Sequence, residues 1–349
     1  MRAITLTPGM PNAASLEEVP EPSVGEGAML VRTLALGVCG TDREIVAGQY
    51  GEAPQGNERL VLGHESLGEV ISAPADSGFE TGDRLVGFVR RPDPVPCPAC
   101  AAGEWDMCRN GRYTERGIKG RHGFGSERFR IEPEFAIKAD PSLGLLAVLI
   151  EPASIVAKAW DHIERIGQRF QSWRPRRLLV TGSGAIGLLA ALMGMQRRYE
   201  VHVLDRHAEG PKSVLIDGLG ASHHAGAVSD LAGLEPDVIL ECTGAPAVIA
   251  DVMHGPAPSG IVCLLGIGTD RRREFDIGRF NRNMVLDNKV VFGAVNANRR
   301  HYEMAAQSLM QADTRWLGRL ISRRVPLSRW QEALERRDGD IKVIIDFTL

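Results

Sequence analysis

LLVTGSGAIGLLAALMGMQRRYEVHVLD, residues 178–205, carries three kinds of local order in succession. Leu178–Thr181 is a short apolar run. Gly182, Gly184 and Gly187 follow it as G-x-G-x-x-G. The next stretch, Ile186 to Met195, has the composition of a buried helix, and YEVHVLD reads as a second strand ending on Asp205, 23 residues after Gly182. A strand, a glycine turn, a helix and a strand with a terminal acid form half of a doubly wound α/β sheet that binds a dinucleotide. The first glycine allows the tight turn, the second lets the backbone approach a pyrophosphate, and the third lets helix and strand pack closely. The amides that open the helix, at Ala185 and Ile186, face the phosphates with the positive end of the helix dipole. Asp205 can accept hydrogen bonds from ribose hydroxyls and would repel a 2′-phosphate, which favours NAD. Arg206 and the nearby Lys212 would serve NADP if the acid swung away. The plain alternative is a glycine turn that binds nothing.

Working outward, the alternation continues through PDVILECTG (236–244), GIVCLLGIG (260–268) and KVVFGAV (289–295), apolar runs of the kind that form buried parallel strands. PASIVAKAWDHIERI (152–166) and RRHYEMAAQSLMQ (299–311) read as helices, and KVIIDFTL (342–349) as a closing strand. Upstream the character differs. MLVRTLAL, GEVISA and DRLVGFV, between residues 28 and 137, are short runs separated by turn residues, as in an all-β domain. The chain is expected to divide into a β-rich catalytic domain, residues 1–150 and 301–349, and a cofactor domain, residues 151–300, the tail packing back on the first domain. The charged runs at 174–177, 270–274 and 335–340 read as solvated loops.

A length of 349 residues suits two domains of ordinary size. With 41 basic and 44 acidic residues, formal charge −3, there is no basic field to attract nucleic acid or an anionic membrane. The N-terminus has no signal-peptide pattern, and no apolar run approaches membrane-spanning length. Six cysteines, three of them clustered, point to metal or thiol chemistry in a reducing compartment, hence the cytoplasm.

Three residues offer a metal site. Cys39 lies in Gly37-Val-Cys-Gly-Thr-Asp42, His64 lies in Gly63-His-Glu65, and Glu151 precedes Pro152 at the start of a helix. Thiolate, imidazole and carboxylate together suit catalytic zinc, three protein ligands leaving one position open. Singly, each has an ordinary explanation: a small buried hydrophobe, a hydrogen-bonded core imidazole and a helix N-terminal charge.

The strings GVCGTD, GHE, GDRLV (82–86), EPAS (151–154), GSGAIG and VNANRRH (295–301) together resemble the zinc-dependent medium-chain alcohol dehydrogenase superfamily over essentially the whole chain. GVCGTDREI, MCRNGRYTERGIKGRHGFGSERF (107–129), EPASIVAKAW and NANRRHYE most resemble its glucose 1-dehydrogenases. The resemblance implies a GroES-like catalytic domain beside a Rossmann domain, assembled as a homodimer or homotetramer. It implies hydride transfer from C1 of an aldose, D-glucose foremost, to NAD or NADP, giving a lactone. By the same resemblance Cys39, His64 and Glu151 hold the zinc, Glu65 is the exchanging ligand, and Thr41 relays the substrate proton. Glu115, Asn296 and His301 match polar positions of the sugar pocket or cofactor contacts. Rival readings are a zinc dehydrogenase of another polyol, alcohol or threonine, and a dinucleotide-binding protein without redox activity.

Cys97, Cys100 and Cys108 match the last three cysteines of the family's structural zinc lobe. The slot of the first is Pro94, which offers no donor, and Asp93 stands one residue earlier. Asp93 with three thiolates would make a second zinc site; a lobe without metal, or a Cys97–Cys100 disulfide, are the alternatives.

Overall fold

The computed structural model describes residues 1–231, 233–268 and 272–349. The first two residues of the 270–274 run lie outside the described residues; the rest of that run is exposed, as are Arg174, Arg176, Arg177 and 335–338.

Two compact units emerge, Met1–Ser154 with Asn296–Leu349, and Ile155–Val295. The second is a six-stranded parallel sheet. Its order is Ser222–Ala225, Glu200–Asp205, Arg177–Thr181, Val238–Glu241, Ile261–Leu264, Val290–Gly293, which in chain order is 3-2-1-4-5-6. Strand order reverses beside Arg177–Thr181, the strand feeding the glycine turn, and ligands of doubly wound sheets bind at that reversal. The helix Ala185–Gln196 is apolar on every side and buries eight residues, so it sits in the core rather than presenting an amphipathic face. Each Leu so buried contributes roughly 1.5–3 kcal/mol relative to exposure.

In the first unit a seven-stranded sheet runs Ala136–Lys138, Arg84–Gly87, Glu65–Ser72, Met29–Val38, Lys342–Asp346, Ile321–Pro326, with Arg128–Ile131 also paired to Met29–Val38. Its core gathers Ile4, Leu36, Ile45, Phe124, Phe129, Val325 and Ile345. Two pairings fix the site. Gly37 pairs with Glu65, so the residues just beyond those strand ends, Cys39 and His64, come together. Val38 pairs with Val343, so the C-terminal strand brings Lys342 to the same corner. Gly37 has to be glycine, because a Cβ there would lie 2.0 Å from Glu65 Oε2.

Pro141–Gly167 is long and apolar enough to cross a membrane, which corrects the expectation that no apolar run approaches that length; 72% of its most apolar window is buried inside the fold. Most of its residues are buried, and Glu151 starts a new turn within it, in the helix Ile150–Gly167.

Candidate active site and dinucleotide turn

Cys39 follows the strand Met29–Val38 and caps the short helix Gly40–Val46. Its Sγ lies 3.1 Å from His64 Nε2, and the ligand atoms of Cys39, His64 and Glu65 all lie within 4.8 Å of one another. Ligand atoms around a tetrahedral zinc are separated by about 3.5 Å, so the thiol and imidazole converge as a shared ion requires. The other ring nitrogen, His64 Nδ1, is 3.2 Å from Asp42 Oδ1, and among the described residues neither atom has another hydrogen-bond partner. Asp42 Oδ2 meanwhile accepts from the Cys39 amide at 2.9 Å. One carboxylate therefore fixes both donors, which is the outer-shell arrangement that orients a metal-binding histidine.

Charge in this corner is arranged for a cation. Burial alone would lower the His64 pKa, but the Cys39 thiolate and the Asp42 carboxylate raise it well above its ordinary value. Burial, then the Glu65 charge, pushes the Glu151 carboxyl up to about 8. A dication would remove the cost of holding Glu151 ionised. Thiol, imidazole and carboxylate donors fit zinc, but Glu151, the expected third ligand, is not among the three residues whose ligand atoms lie together. Glu65 is engaged differently: Lys342 Nζ sits 2.7 Å from each of its oxygens, both side chains almost wholly buried. Thr41, in the first helical turn beyond Cys39, is half-buried.

In the dinucleotide turn, Gly182 adopts φ +87°, and a Cβ on Gly187 would lie 1.8 Å from Gly182 O. A Cβ on Gly184 would meet nothing within 4 Å. The first and third glycines thus serve the turn and the packing, while the second leaves a cradle open in front of the amides of Ala185 and Ile186. Asp205 ends its strand as expected, but its Oδ2 accepts from the Ser183 amide at 2.9 Å and from Ser183 Oγ, and its Oδ1 from the His207 amide at 3.2 Å. Burial would raise its pKa; the Ser183 bonds outweigh burial and lower it. Arg206 is exposed beside it.

The remaining expected residues fall into two groups. Glu115 and Asn296 meet directly, Asn296 Nδ2 donating to Glu115 Oε1 at 2.7 Å. His301 is fully buried, and its Nδ1 accepts the Asn298 amide at 3.2 Å in a capping box opening the helix Arg299–Met310. In the lobe, Cys97, Cys100 and Cys108 lie within 4.8 Å of one another, but Asp93 is not in that group. Its carboxylate is taken by the Val95 amide at 2.8 Å and by Arg112 Nε at 3.3 Å. All six cysteines are free thiols, so no Cys97–Cys100 disulfide is formed. Sequence reasoning passed over Asp42, Lys342 and Arg90. Asp42 stood in the quoted GVCGTD; Lys342 gave no local signal, since only sheet pairing brings it to residue 65.

A GroES-like β unit with a thiol–imidazole–carboxylate corner, joined in one chain to a doubly wound dinucleotide unit, defines the medium-chain dehydrogenase class. Within it, the chain belongs to the glucose dehydrogenase family: the model for the glucose dehydrogenase C-terminus matches residues 144–347, and that for the alcohol dehydrogenase GroES-like domain residues 25–141. The chain is 39% identical over 357 residues to a glucose 1-dehydrogenase of Methanocella arvoryzae, covering 99% of each. It is 37% identical over 354 residues to glucose 1-dehydrogenase 2 of Vulcanisaeta moutnovskia, again covering 99% of each. Among solved structures it is similar to the Haloferax mediterranei glucose dehydrogenase in complex with NADP, Zn and gluconolactone, with TM-score 0.92, 35% identity and full coverage of both chains.

Proposed function

We propose that this chain is a zinc-dependent aldose 1-dehydrogenase that oxidises the anomeric carbon of a sugar, D-glucose foremost, with NAD(P). The convergence of Cys39 and His64, braced by Asp42 and joined electrostatically by Glu151, carries the reading. Cys39, His64 and Glu151 would hold the zinc, with Glu65 exchanging into the shell when it leaves Lys342. When bound, zinc supplies Lewis acidity toward the sugar oxygen, and the dinucleotide supplies the hydride acceptor. The chain itself holds the reactants and moves the proton. Thr41 is the hydroxyl beside the corner able to accept the substrate proton and pass one to solvent. The glycine turn fixes the pyrophosphate, so the hydride acceptor is positioned before reaction. One hydride and one proton leave the sugar, and a lactone with NAD(P)H results.

Between the two dinucleotides the reading favours NAD, because Asp205 stands ionised at the end of the second strand. The Haloferax relative was solved with NADP, and steady-state constants with both cofactors decide the choice for this chain. Six free cysteines suit the reducing cytoplasm. A homodimer or homotetramer is favoured by the helix Ile277–Leu286, which leaves Ile277, Val285 and Leu286 exposed near the sheet's last strand, Val290–Gly293. Light scattering tests that assignment.

The functional test is turnover of a panel of aldoses, alditols, simple alcohols and threonine with each cofactor. Aldose oxidation with lactone formation, lost on metal removal and regained with zinc, is expected. Activity confined to alditols, alcohols or threonine would replace the aldose reading by its rival, and dinucleotide binding without any turnover would leave the non-catalytic one.

A further inference from the structure

Glu241 closes the strand Val238–Glu241 with a carboxylate side chain that is wholly buried. Such a group persists away from water only where donors meet it. Among the described residues four donors do: the Thr243 amide at 2.8 Å, Thr181 Oγ1 at 3.3 Å and Thr243 Oγ1, all on Oε1, and the Gly244 amide, 3.2 Å from both oxygens. A carboxylate is an acceptor alone, and every one of these groups donates. None is a cation: the carboxylate gathers backbone and hydroxyls instead of pairing with a charge.

Its place in the sheet gives these bonds their consequence. In the order 3-2-1-4-5-6, Val238–Glu241 is strand four, paired with Arg177–Thr181 on one side and Ile261–Leu264 on the other. The reversal of strand order therefore falls between Thr181 and Glu241, and the crevice that takes a dinucleotide opens beyond their carboxyl ends. The Glu241 side chain spans that reversal through Thr181 and holds the loop after strand four. Its main-chain oxygen holds the loop after strand five, accepting from the Leu265 amide at 2.8 Å and the Gly266 amide at 3.0 Å. These loops and the glycine turn pack without slack. A Cβ on Gly266 would lie 2.1 Å from the Gly244 nitrogen, and one on Gly182 would lie 2.9 Å from the Thr243 methyl. Gly244 itself sits at φ +65°, in the left-handed region. Thr243 Oγ1 extends the hold by accepting from the Ala245 amide at 3.0 Å.

We infer that Glu241 is a positioning residue for the dinucleotide, a buried carboxylate that ties the loops after strands four and five to strand one and so presets the crevice wall for the second half of the cofactor. The inference deepens the dinucleotide reading and rests on it. A doubly wound sheet holds a dinucleotide in two mononucleotide halves, strands one to three taking one and strands four to six the other. The glycine turn and Asp205 belong to the first half, and Glu241 governs the second. Loops already fixed lose little freedom when the cofactor binds, so loosening them is read as lost affinity.

The experiment measures NAD(P)H dissociation constants by fluorescence, without sugar, beside the binding of 5′-AMP, which fills the first half alone, by calorimetry. Glu241→Gln keeps the shape and one acceptor but turns an NH2 group toward donors. It should weaken NAD(P)H about 10- to 100-fold, the range of hydrogen bonds to a charged group, with 5′-AMP within about twofold of wild type. Thr243→Val removes the hydroxyl and keeps a methyl over Gly182; because Thr243 is exposed, it serves if Glu241→Gln does not fold. Its NAD(P)H constant should rise about three- to tenfold, again with 5′-AMP unmoved. KM for NAD(P) should rise in step, and KM for the aldose at saturating cofactor should hold, since Cys39 and His64 belong to the other unit. A merely structural carboxylate would weaken 5′-AMP and NAD(P)H alike, or lower Tm and leave both constants at wild type; either result, in whichever variant folds, overturns the inference. A wild type that binds neither NADH nor NADPH removes the reading beneath it, an outcome distinct from wild-type affinity in the variants.

Discussion

The corner at Cys39 and the lobe at Cys97 are both clusters of metal-binding side chains, and they differ in what stands behind the ligands. At the corner, sheet pairing sets the ligand separation and one buried carboxylate, Asp42, bonds the Cys39 amide while facing the His64 ring. In the lobe, three thiols approach one another on a four-residue helix and a loop, and the carboxylate at hand, Asp93, is spent on Val95 and Arg112. Three neighbouring donors are common to both; a carboxylate behind the ligands that orients them is the mark of the corner. Catalytic sites need that second layer because metal affinity and ligand geometry depend on it.

The most forceful way to break the contrast is to remove a ligand from the corner. His64→Ala should lower kcat by at least about a thousandfold, since ~4 kcal/mol of transition-state stabilisation is within what a Lewis-acid metal provides. NAD(P)H affinity should be nearly unchanged, the turn at Gly182–Gly187 belonging to the other unit. Full turnover in that variant would refute the zinc mechanism. Removing the support rather than the ligand should cost less. Asp42→Asn keeps the shape but not the charge facing His64 Nδ1, and zinc affinity measured by competition with a chelator should fall about 10- to 100-fold.

How far the sequence foretells each region follows from where its determinants lie. The doubly wound unit was legible because its signals are local: an apolar run, a glycine turn and a terminal acid within 28 residues, 178–205. Its polar edge strand, Ser222–Ala225, was not, since SHHA has neither alternation nor β-branched residues and acquires its state from pairing with Glu200–Asp205. At the corner, GVCGTD and GHE were visible as strings, but Lys342 is 277 residues from Glu65 and meets it only through the C-terminal strand. Glu115 and Asn296, 181 residues apart, were both singled out, yet that one holds the other was beyond any local pattern.

The root of the lobe offers a gentler test through pH. The strand Arg90–Arg91 leads directly into it, and Arg91 Nη2 pairs with Glu132 at 3.1 Å. Burial would raise the Glu132 carboxyl, but Arg91 and Arg121 outweigh it and hold it at about 2, below its ordinary 4.5. A depressed carboxyl contributes stability that is fully present above its unfolded pKa and is lost as pH falls through the folded one. Wild type should therefore lose thermal stability between pH 4.5 and about 2 more steeply than Glu132→Gln, whose Tm should be a few degrees lower at neutral pH and converge on wild type in acid. Parallel Tm curves over that window would show that Glu132 does not anchor the lobe.

The smallest effect on turnover, and the sharpest on composition, belongs to the lobe. Backbone amides, that of Arg109 first, hold the Cys97 thiol down at about 6, while burial pushes Cys100 up to about 11. Cys100 is thus a neutral thiol near pH 7 unless a metal repays its ionisation, and a tetrahedral zinc would find three thiols and, among the described residues, no fourth donor grouped with them. Metal analysis should give near one zinc per chain, with Cys100→Ser leaving both that figure and kcat within about twofold, below the tenfold that 1.36 kcal/mol would make. Supplying what is missing should convert the lobe: Pro94→Cys places a thiol three residues before Cys97, and zinc content should rise toward two per chain with unchanged kcat. Two equivalents in wild type, falling to one in Cys100→Ser, would mean that three thiolates and an outside ligand suffice, and that what separates the two regions is orientation rather than the number of donors.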